Sequence, residues 1–233
     1  MISVQPFDRL GRFQNDWLNA RYHFSFGQYH DSARMGLGGL RVWNDDEIAP
    51  GKGFDPHEHR EMEIITYVRQ GAITHQDSLG NKGRTEAGDV QVMHAGTGIV
   101  HGEYNMEDTP ARIFQIWIMP DVPRATPGWG ARRFPQERSN TLIALADGRP
   151  GADGSALPLN ANAAVLAGTI RKGEQVTHHF APGRAGYLVP ASGALLVNGI
   201  AVPTRAGVSV AHEAEVTITA TEDAEVVLVE VTA

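Results

Sequence analysis

The sequence predicts an all-β protein built from two lobes. Its 233 residues include 26 glycines and 13 prolines, a content that favours short strands joined by turns over long helices. Short runs of β-branched and aromatic residues alternate with glycine-containing turns along most of the chain. From Glu61 to Pro120, no segment shows the apolar period of an amphipathic helix.

The strands of the first lobe follow from runs of strand-forming residues bounded by turn signals. Gln70-Gly71, Ser78–Gly83 and Ala87-Gly88 supply the turns. Two short extended pieces, "HFSF" from His23 and "LRVW" from Leu40, come before them. The predicted strands are Glu61–Val68, Ala72–Gln76, Asp89–His94, Val100–Asn105 and Ala111–Met119.

A proline-rich segment separates the two lobes. Pro120–Asn140 contains four prolines and little periodicity, which indicates a connection rather than a strand. We place an N-terminal metal-binding lobe at residues 1–130, a linker at 131–140 and a C-terminal lobe at 141–233. The strands predicted in the second lobe are Asn162–Ile170, Gln175–Phe180, Gly186–Val189, Ala194–Val197, Val208–Ala211, Glu215–Ala220 and Glu225–Val231.

Two pairs of candidate metal ligands lie in the first lobe. His57 and His59 stand two residues apart in "PHEHREMEIITYVRQG", and His101 and Glu103 stand two apart in "GTGIVHGEYN". In an extended strand such residues share a face about 6.6 Å apart, so each pair can aim two donor atoms at one point between facing strands. Three imidazoles and a carboxylate suit a divalent first-row metal. The alternative is unrelated polar residues on solvated strands, and two such pairs in one predicted sheet favour the metal site.

The second lobe resembles a faint copy of the first. Each contains a hairpin followed by an Ala-Gly turn. An ungapped alignment of the two halves that pairs Gly71 with Gly193 also pairs His57 with His179. The counterpart of the second ligand pair falls in "EVTITAT" (residues 215–221), where we expect no ligand. We therefore predict one metal site, in the first lobe.

Composition narrows the function classes. Twenty Lys and Arg stand against 27 Asp and Glu, for a net charge of −7, and no cluster of cations suggests direct nucleic-acid binding. The absence of cysteine excludes disulfides, thiolate metal sites and cysteine nucleophiles. No apolar run approaches the roughly 20 residues that cross a bilayer, and "MISVQPFDRLGRFQNDW" lacks the pattern of a signal peptide. We expect a cytoplasmic protein that does not bind membranes.

The motifs around the predicted ligands resemble those of cupins. His57, His59 and Glu63 have the spacing of the first cupin motif, and His101 fits the second motif loosely. More closely, "LRVWNDD", "PHEHREMEIITYV", "HQDSLGNKG", "MHAGTGIVHGEYN" and "QIWIMP" are similar to bacterial members of the pirin family. This resemblance is dense over residues 17–120 and diffuse thereafter.

The pirin resemblance implies a fold, a metal and a reaction. The fold is a bicupin, two cupin β-barrels (jelly rolls) packed face to face. The metal is one divalent ion held by His57, His59, His101 and Glu103. We expect Fe(II), with Zn, Ni, Cu, Mn or Co able to substitute. Bacterial relatives are associated with quercetin 2,3-dioxygenase activity, which opens a flavonol ring with O₂ and releases carbon monoxide, and in that reaction we expect Glu103 to act as the catalytic base.

Other functions and assemblies stay open at this point. Eukaryotic pirins are described as nuclear transcription cofactors, so a metal- or redox-responsive regulator that binds a protein partner is one alternative. Sugar isomerase chemistry, found in other cupins and independent of oxygen, is another. We expect a monomer, because a bicupin already covers its sheet edges within one chain.

Several further residues have two interpretations. Ordinary cupins use the position of Glu63 as a ligand, but we expect it to hydrogen-bond nearby groups instead. His75 and His94 are candidates to support a metal ligand or to line a pocket, but we expect them to be hydrogen-bonded strand histidines. His178 and His179 point to opposite faces of a strand, so they do not chelate together.

Two short motifs are assigned to turns. "NDDE" (Asn44–Glu47) has the acids of a hard-cation site, but we expect a solvated acidic turn. "AGTG" (Ala95–Gly98) is similar to a phosphate-cradling loop, yet no lysine follows it and no helix begins there. Turn geometry explains its glycines.

Overall fold

A computed structural model describes residues 1–133 and 141–233 and arranges them almost entirely as β-strands in four sheets. Within those residues the helical structure consists of one 3₁₀ turn, Phe7–Arg9. Across the described part of the chain, no helix has the length and apolar character needed to cross a bilayer.

The strands are numbered here in chain order. Those up to the predicted linker are β1 (Ile2–Gln5), β2 (Gly11–Gln14), β3 (Leu18–Tyr22), β4 (Leu40–Ile48), β5 (Gly53–His59), β6 (Glu63–Gln70), β7 (Ala72–Asp77), β8 (Lys82–Glu86), β9 (Val90–His94), β10 (Ile99–Tyr104), β11 (Ala111–Ile118) and β12 (Gly128–Arg132). Those after it are β13 (Ile143–Asp147), β14 (Leu157–Pro158), β15 (Ala164–Ile170), β16 (Gln175–His179), β17 (Arg184–Ser192), β18 (Leu195–Val197), β19 (Ile200–Val202), β20 (Gly207–Ala211), β21 (Glu215–Ala220) and β22 (Ala224–Thr232).

Each lobe combines a seven-stranded sheet with a four-stranded sheet. In the first lobe the orders are β12-β9-β6-β11-β4-β3-β2 and β5-β10-β7-β8. In the second they are β1-β20-β17-β22-β15-β13-β14 and β16-β21-β18-β19. The central strands β6, β11 and β4 correspond to β17, β22 and β15, so the two lobes repeat one plan. The predicted bicupin fold is confirmed.

The two large sheets pack face to face through a shared apolar core. Trp43 and Phe114 from the first lobe meet Tyr187 and Val229 from the second, and all four are fully buried. The ring of Trp43 lies 5.4 Å from that of Phe114 and 5.6 Å from that of Tyr187. Both faces of the first lobe's large sheet are therefore covered, one by the second lobe and one by the smaller sheet.

The first strand lies in the second lobe. β1 pairs antiparallel with β20, from Ile2 opposite Val210 to Gln5 opposite Gly207. A four-residue strand carries no signal of its partner, so the sequence did not predict this exchange. The division of the chain into lobes at 1–130 and 141–233 stays a prediction, with this strand crossing between them.

The segment predicted as a connection contains a strand. β12 pairs with β9, from Gly128 opposite His94 to Arg132 opposite Val90, and so widens the first lobe's sheet. Its two glycines hide any strand alternation in the sequence. Residues 134–140, most of the predicted 131–140 linker, lie outside the described residues.

The expectation of a solvated acidic turn at Asn44–Glu47 is wrong. These residues lie in β4, between β3 and β11 in the large sheet. Asp45 is fully buried on the face toward the second lobe. It accepts hydrogen bonds from Arg69 and, at 2.6 Å, from Nε of Arg205. Paired cations compensate for the burial of this carboxylate, so a run of acids does not indicate solvent here.

An ion-pair cluster closes one end of the second lobe. Glu230 is buried and accepts hydrogen bonds from Arg184 Nε at 2.7 Å, His178 Nε2 at 2.9 Å and Arg149 Nη1 at 3.1 Å. Exposed His179 instead faces Glu215 at 3.2 Å, so the two histidines point to opposite faces as predicted. Burial acts to raise the pKa of Glu230, but the bonds from His178 and Arg184 outweigh it and lower the pKa.

Replacing Glu230 with glutamine is expected to destabilise the fold at pH 7 by about 2 kcal/mol, because charged hydrogen bonds to buried donors are lost. The folded-state pKa lies below the ordinary value of 4.5, so this stabilisation is complete above pH 4.5 and disappears as the pH falls through the folded pKa. Urea unfolding between pH 7 and pH 3 measures the gap, which is the difference in the free energy of unfolding between parent and variant. Exposed Glu222→Gln is the matched control, and a gap that stays constant to pH 3 would contradict the assignment.

Candidate metal centre

The predicted ligands lie on two neighbouring strands of the small sheet. β5, a strand that the sequence analysis did not delimit, carries the first pair and β10 carries the second. His57 stands directly opposite His101, and His59 stands opposite Ile99. The two pairs are therefore side by side in one sheet rather than on facing strands. Residues that are cross-strand neighbours or two apart share a face, which brings the three imidazoles together.

Three imidazoles share one focus. One nitrogen from each of His57, His59 and His101 lies within 4.8 Å of the other two. The ring centroids are 4.6 Å, 4.7 Å and 5.1 Å apart. Over residues 1–133 and 141–233, this is the one group of three or more potential metal-ligating side chains with such spacing. Imidazole nitrogens in this arrangement suit a divalent transition metal.

Hydrogen bonds and burial leave nitrogen lone pairs directed at this focus. Nδ1 of His57 lies 2.7 Å from the carbonyl oxygen of Asp55, so Nδ1 donates and Nε2 keeps its lone pair. Nε2 of His59 and Nε2 of His101 are buried and have no hydrogen-bond partner among the described residues. Burial lowers the pKa of His59 to about 4 and that of His101 to about 3. Both rings are therefore neutral at pH 7, which is the form that binds a metal.

A chain of hydrogen bonds through Asp77, His75 and His101, called here the relay, fixes the tautomer of the His101 imidazole. His75 Nε2 lies 3.0 Å from a carboxylate oxygen of Asp77, so His75 donates there and keeps a lone pair on Nδ1. His101 Nδ1 lies 3.4 Å from that Nδ1, and it must donate because His75 accepts. The proton of His101 is thus held on Nδ1 and Nε2 stays free for a metal. His75 is a hydrogen-bonded strand histidine as expected, but its contact with His101 also gives it the ligand-supporting role that the sequence analysis did not favour.

Packing holds His75 in place. Trp129 of β12 stacks on its ring with centroids 5.0 Å apart and planes 9° from parallel. Gly83, opposite His75 in the β7–β8 pair, makes room for this indole. A Cβ at Gly83 would lie 2.1 Å from the Trp129 ring. The strand hidden in the predicted linker therefore supports the candidate metal centre.

Replacing Asp77 with asparagine is expected to lower the affinity for Ni(II) by about 10- to 100-fold. The amide would offer His75 a donor or a weaker acceptor, which favours the other His75 tautomer and moves the His101 proton to Nε2. Chelator competition measures the affinity, and imidazole ¹⁵N shifts report the tautomers. Exposed Asp108→Asn is the control. An unchanged affinity in a folded Asp77→Asn protein would show that the relay does not position His101.

Glu103 stands apart from the three imidazoles. The register of β10 shifts between His101 and Glu103, and Glu103 is not in the group of donors within 4.8 Å. Its carboxylate accepts hydrogen bonds from Thr66 Oγ1 at 2.8 Å and from the side-chain amides of Gln91 and Gln115. Three donors occupy three of its roughly four lone-pair positions and leave one. Its roles as fourth ligand and as base stay predictions.

The electrostatic state of Glu103 follows from its surroundings. Burial raises the pKa of the carboxyl, and the hydrogen bonds from Thr66 and Gln115 act in the opposite direction without cancelling it. A carboxyl with a raised pKa holds a proton more readily than an exposed glutamate. This is the property that a general base needs near neutral pH.

Glu63 lies on the face of β6 opposite to Thr66, the face directed toward the second lobe. Its Oε2 accepts hydrogen bonds from His94 Nδ1 at 2.6 Å and from the backbone N–H of Asn160 at 2.9 Å. The hydrogen-bonding roles expected for Glu63 and His94 are confirmed. Glu63 therefore ties the first lobe to the second and is not directed at the imidazoles.

A cavity of about 420 Å³ opens beside the three imidazoles. Its walls include the rings of Trp17, Phe26, Phe54 and Trp117. The Trp117 ring lies 4.9 Å from His59 and 5.5 Å from Phe26. This size and aromatic lining suit a small organic ligand. A larger cavity of about 970 Å³ lies at the Glu230 cluster of the second lobe, but its charged groups are paired with one another.

A polar row on the large sheet, which sequence reasoning missed, contributes Asn44, Asp46 and Gln115 to the cavity wall. Gln91, Thr66, Gln115 and Asn44 stand opposite one another on β9, β6, β11 and β4. Asp46, two residues after Asn44, lies on the same face. Each of these residues is buried. Polar residues at alternate positions of otherwise apolar strands are the one signal in the sequence that could have revealed the row.

Comparison with sequence families follows the two lobes. Residues 4–118 match the Pirin family, and residues 143–231 match the quercetinase C-terminal cupin domain. The two matches fall on either side of the predicted linker.

Individual relatives match nearly the whole chain. The pirin-like protein of Caulobacter vibrioides is 55% identical over 231 residues, covering 99% of both chains. The quercetin 2,3-dioxygenase of Escherichia coli K12 is 38% identical, covering 98% of this chain and 97% of its own. The crystal structure of the E. coli bacterial pirin YhhW in complex with nickel(II) superposes with a TM-score of 0.93 at 36% identity, covering 100% of this chain and 99% of that one.

Proposed function

Because the chain belongs to the pirin family, we propose that it is a metal-dependent dioxygenase of the quercetin 2,3-dioxygenase type. It opens the central ring of a flavonol with O₂ and releases carbon monoxide. The observation that carries the proposal is the focus of three imidazoles, two with buried unpartnered Nε2 atoms, beside an aromatic-lined cavity. The E. coli relative named quercetin 2,3-dioxygenase supports it.

Fe(II) is the native metal in this proposal. His57, His59 and His101 would hold it. Glu103 has one lone-pair position left by its three hydrogen-bond donors, so it would be the fourth ligand in the free protein and would use the same position as base once the flavonol is bound. When bound, the metal supplies Lewis-acid chemistry that lowers the pKa of a flavonol hydroxyl. The nickel(II) in the E. coli bacterial pirin structure is in keeping with a nitrogen-rich site that accepts several divalent ions. The metal in a purified sample therefore reports availability as well as preference.

The protein's own groups bind the flavonol and move one proton. The planar body lies between the aromatic walls formed by Trp17, Phe54 and Trp117, which exclude water. Glu103 accepts the proton of the 3-hydroxyl: the substrate O–H bond breaks and an O–H bond forms at the remaining lone-pair position of the carboxylate. Thr66, Gln91 and Gln115 keep that carboxylate oriented. The resulting flavonol anion is electron-rich enough to react with O₂.

Aerobic incubation with quercetin tests the proposal directly. The Fe(II)-loaded protein is expected to bleach the near-ultraviolet and visible absorbance of quercetin and to release carbon monoxide. Strict exclusion of oxygen is expected to stop both changes while metal remains bound. If protein loaded in turn with Fe, Ni, Mn, Co or Cu leaves quercetin unchanged in air, the proposed activity is wrong.

A further inference from the structure

The floor of the cavity carries three acceptor oxygens that lack donors. They are Oδ1 of Asn44, Oδ1 of Asp46 and Oε1 of Gln115, and no described residue donates a hydrogen bond to any of them. The three residues line the cavity and are 5%, 2% and 6% exposed. Native proteins pair nearly all buried polar atoms, so three such oxygens in one cavity call for a ligand with matching donors.

The strand pattern directs these oxygens at the ligand. On β4, Trp43 and Asp45 face the second lobe, so Asn44 and Asp46 face the interior of the first. Gln115 stands directly opposite Asn44 on β11. The imidazoles lie on the small sheet, across the cavity from this floor. A ligand that reaches the imidazoles with one edge therefore presents another part to the acceptors.

We propose that Asn44 and Asp46 select flavonols with hydroxyl groups on their outer rings. Phenolic O–H groups donate to the two Oδ1 atoms, while the 3-hydroxyl and 4-carbonyl edge faces the imidazoles. The inference rests on the proposed function, because that function places a flavonol in this cavity. Gln115 contributes a third acceptor, and its amide is held by Glu103.

The charge of the floor is compatible with this ligand. Burial raises the pKa of Asp46, and the neighbouring carboxylates of Asp45 and Glu103 raise it further. A raised pKa favours the neutral carboxyl, whose carbonyl oxygen still accepts a phenolic hydrogen bond. Tyr22, also in the cavity wall, has its pKa raised to about 12 by burial and by Asp46, so its phenol stays protonated.

Two ligands separate recognition of the ring hydroxyls from recognition of the chelating edge. Quercetin carries hydroxyls on both outer rings, whereas 3-hydroxyflavone keeps the 3-hydroxyl and 4-carbonyl but has none. Tryptophan fluorescence quenching of the Ni(II)-loaded protein without oxygen gives both dissociation constants. We expect the parent to bind quercetin about 10- to 100-fold more tightly, the effect of one or two buried hydrogen bonds.

Substitutions test whether Asn44 and Asp46 cause the preference for quercetin over 3-hydroxyflavone. Asn44→Leu and Asp46→Leu are expected to reduce the preference for quercetin to within about threefold at parental nickel content. Asp46→Asn, which keeps an acceptor oxygen, is expected to retain most of it. Asn19→Leu on neighbouring β3, outside the cavity, is the control.

The outcomes separate this inference from the proposed function. Equal affinity of the parent for the two ligands overturns the acceptor site even if quercetin is oxidised, and this measurement needs no variant to fold. A parental preference that persists in nickel-loaded Asn44→Leu and Asp46→Leu also overturns it. A strong, floor-dependent preference without oxygen-dependent turnover keeps the acceptor site and removes the dioxygenase.

Discussion

Replacing His101 with alanine is expected to lower the affinity for Ni(II) by about 100- to 1000-fold, an even share of the free energy of a four-ligand transition-metal site. His101 is the most buried of the three imidazoles and stands at the centre of the group, opposite His57 and in front of His75. Its removal takes one donor from the focus and leaves the other two on a single strand. Quercetin oxidation is expected to fall with metal content.

Chelator competition and elemental analysis measure this loss. His30→Ala removes an exposed histidine and is the matched control, expected to bind nickel like the parent. Thermal unfolding of the metal-free proteins separates metal loss from misfolding. A folded His101→Ala protein with parental affinity would place the metal elsewhere in the chain.

Replacing Glu103 with glutamine is expected to slow quercetin oxidation by about 100- to 10,000-fold, the usual range for losing a general base. Glutamine cannot accept the 3-hydroxyl proton. Its amide also meets the donors of Gln91, Thr66 and Gln115, so one of those hydrogen bonds is lost. Both effects act at the point where the flavonol is activated.

The assay must compare rates at equal metal occupancy, since Glu103 is also the predicted fourth ligand. Glu58→Gln, on the exposed side of β5 where Glu58 pairs with Arg60, controls for the loss of a charge near the site. If Glu103→Gln binds the metal and oxidises quercetin at the parental rate, another group takes the proton.

The three imidazoles were predictable because their geometry is local. Spacing of two residues fixes a shared face in any strand, and His57, His59 and His101 needed only one strand pairing to meet. The predicted strands near β6, β7, β9, β10 and β11 also follow from local composition. β8 was missed because its sequence, "KGRTE", has the charge of an edge strand and begins inside a turn signal.

The floor of the cavity was not predictable from local pattern. Asn44 and Asp46 look solvated because acids usually indicate solvent, yet β4 lies in a sheet covered on both faces. The partner that compensates Asp45, Arg205, is 160 residues away. Glu103 likewise gained three partners from strands of the opposite sheet. The burial and the partners of these residues depend on segments that are distant in sequence, so no local pattern predicts them.

The two lobes share a strand order but differ in the side chains that they place at corresponding ends. The second lobe repeats the strand order, but at its open end Glu230 is held by Arg149, Arg184 and His178. The first lobe has three imidazoles that share one focus at the corresponding region, and burial keeps those of His59 and His101 neutral. The two lobes therefore share one fold, but ion pairs occupy this region in the second lobe and a ligand can enter it in the first.

Anomalous diffraction from crystals of the Ni(II)-loaded protein tests the main claim most directly. One strong peak is expected at about 2.1 Å from Nε2 of each of His57, His59 and His101, a normal metal–nitrogen bond length. A peak located elsewhere, or one reached by fewer than two of these imidazoles, would show that the three histidines do not hold the cation together.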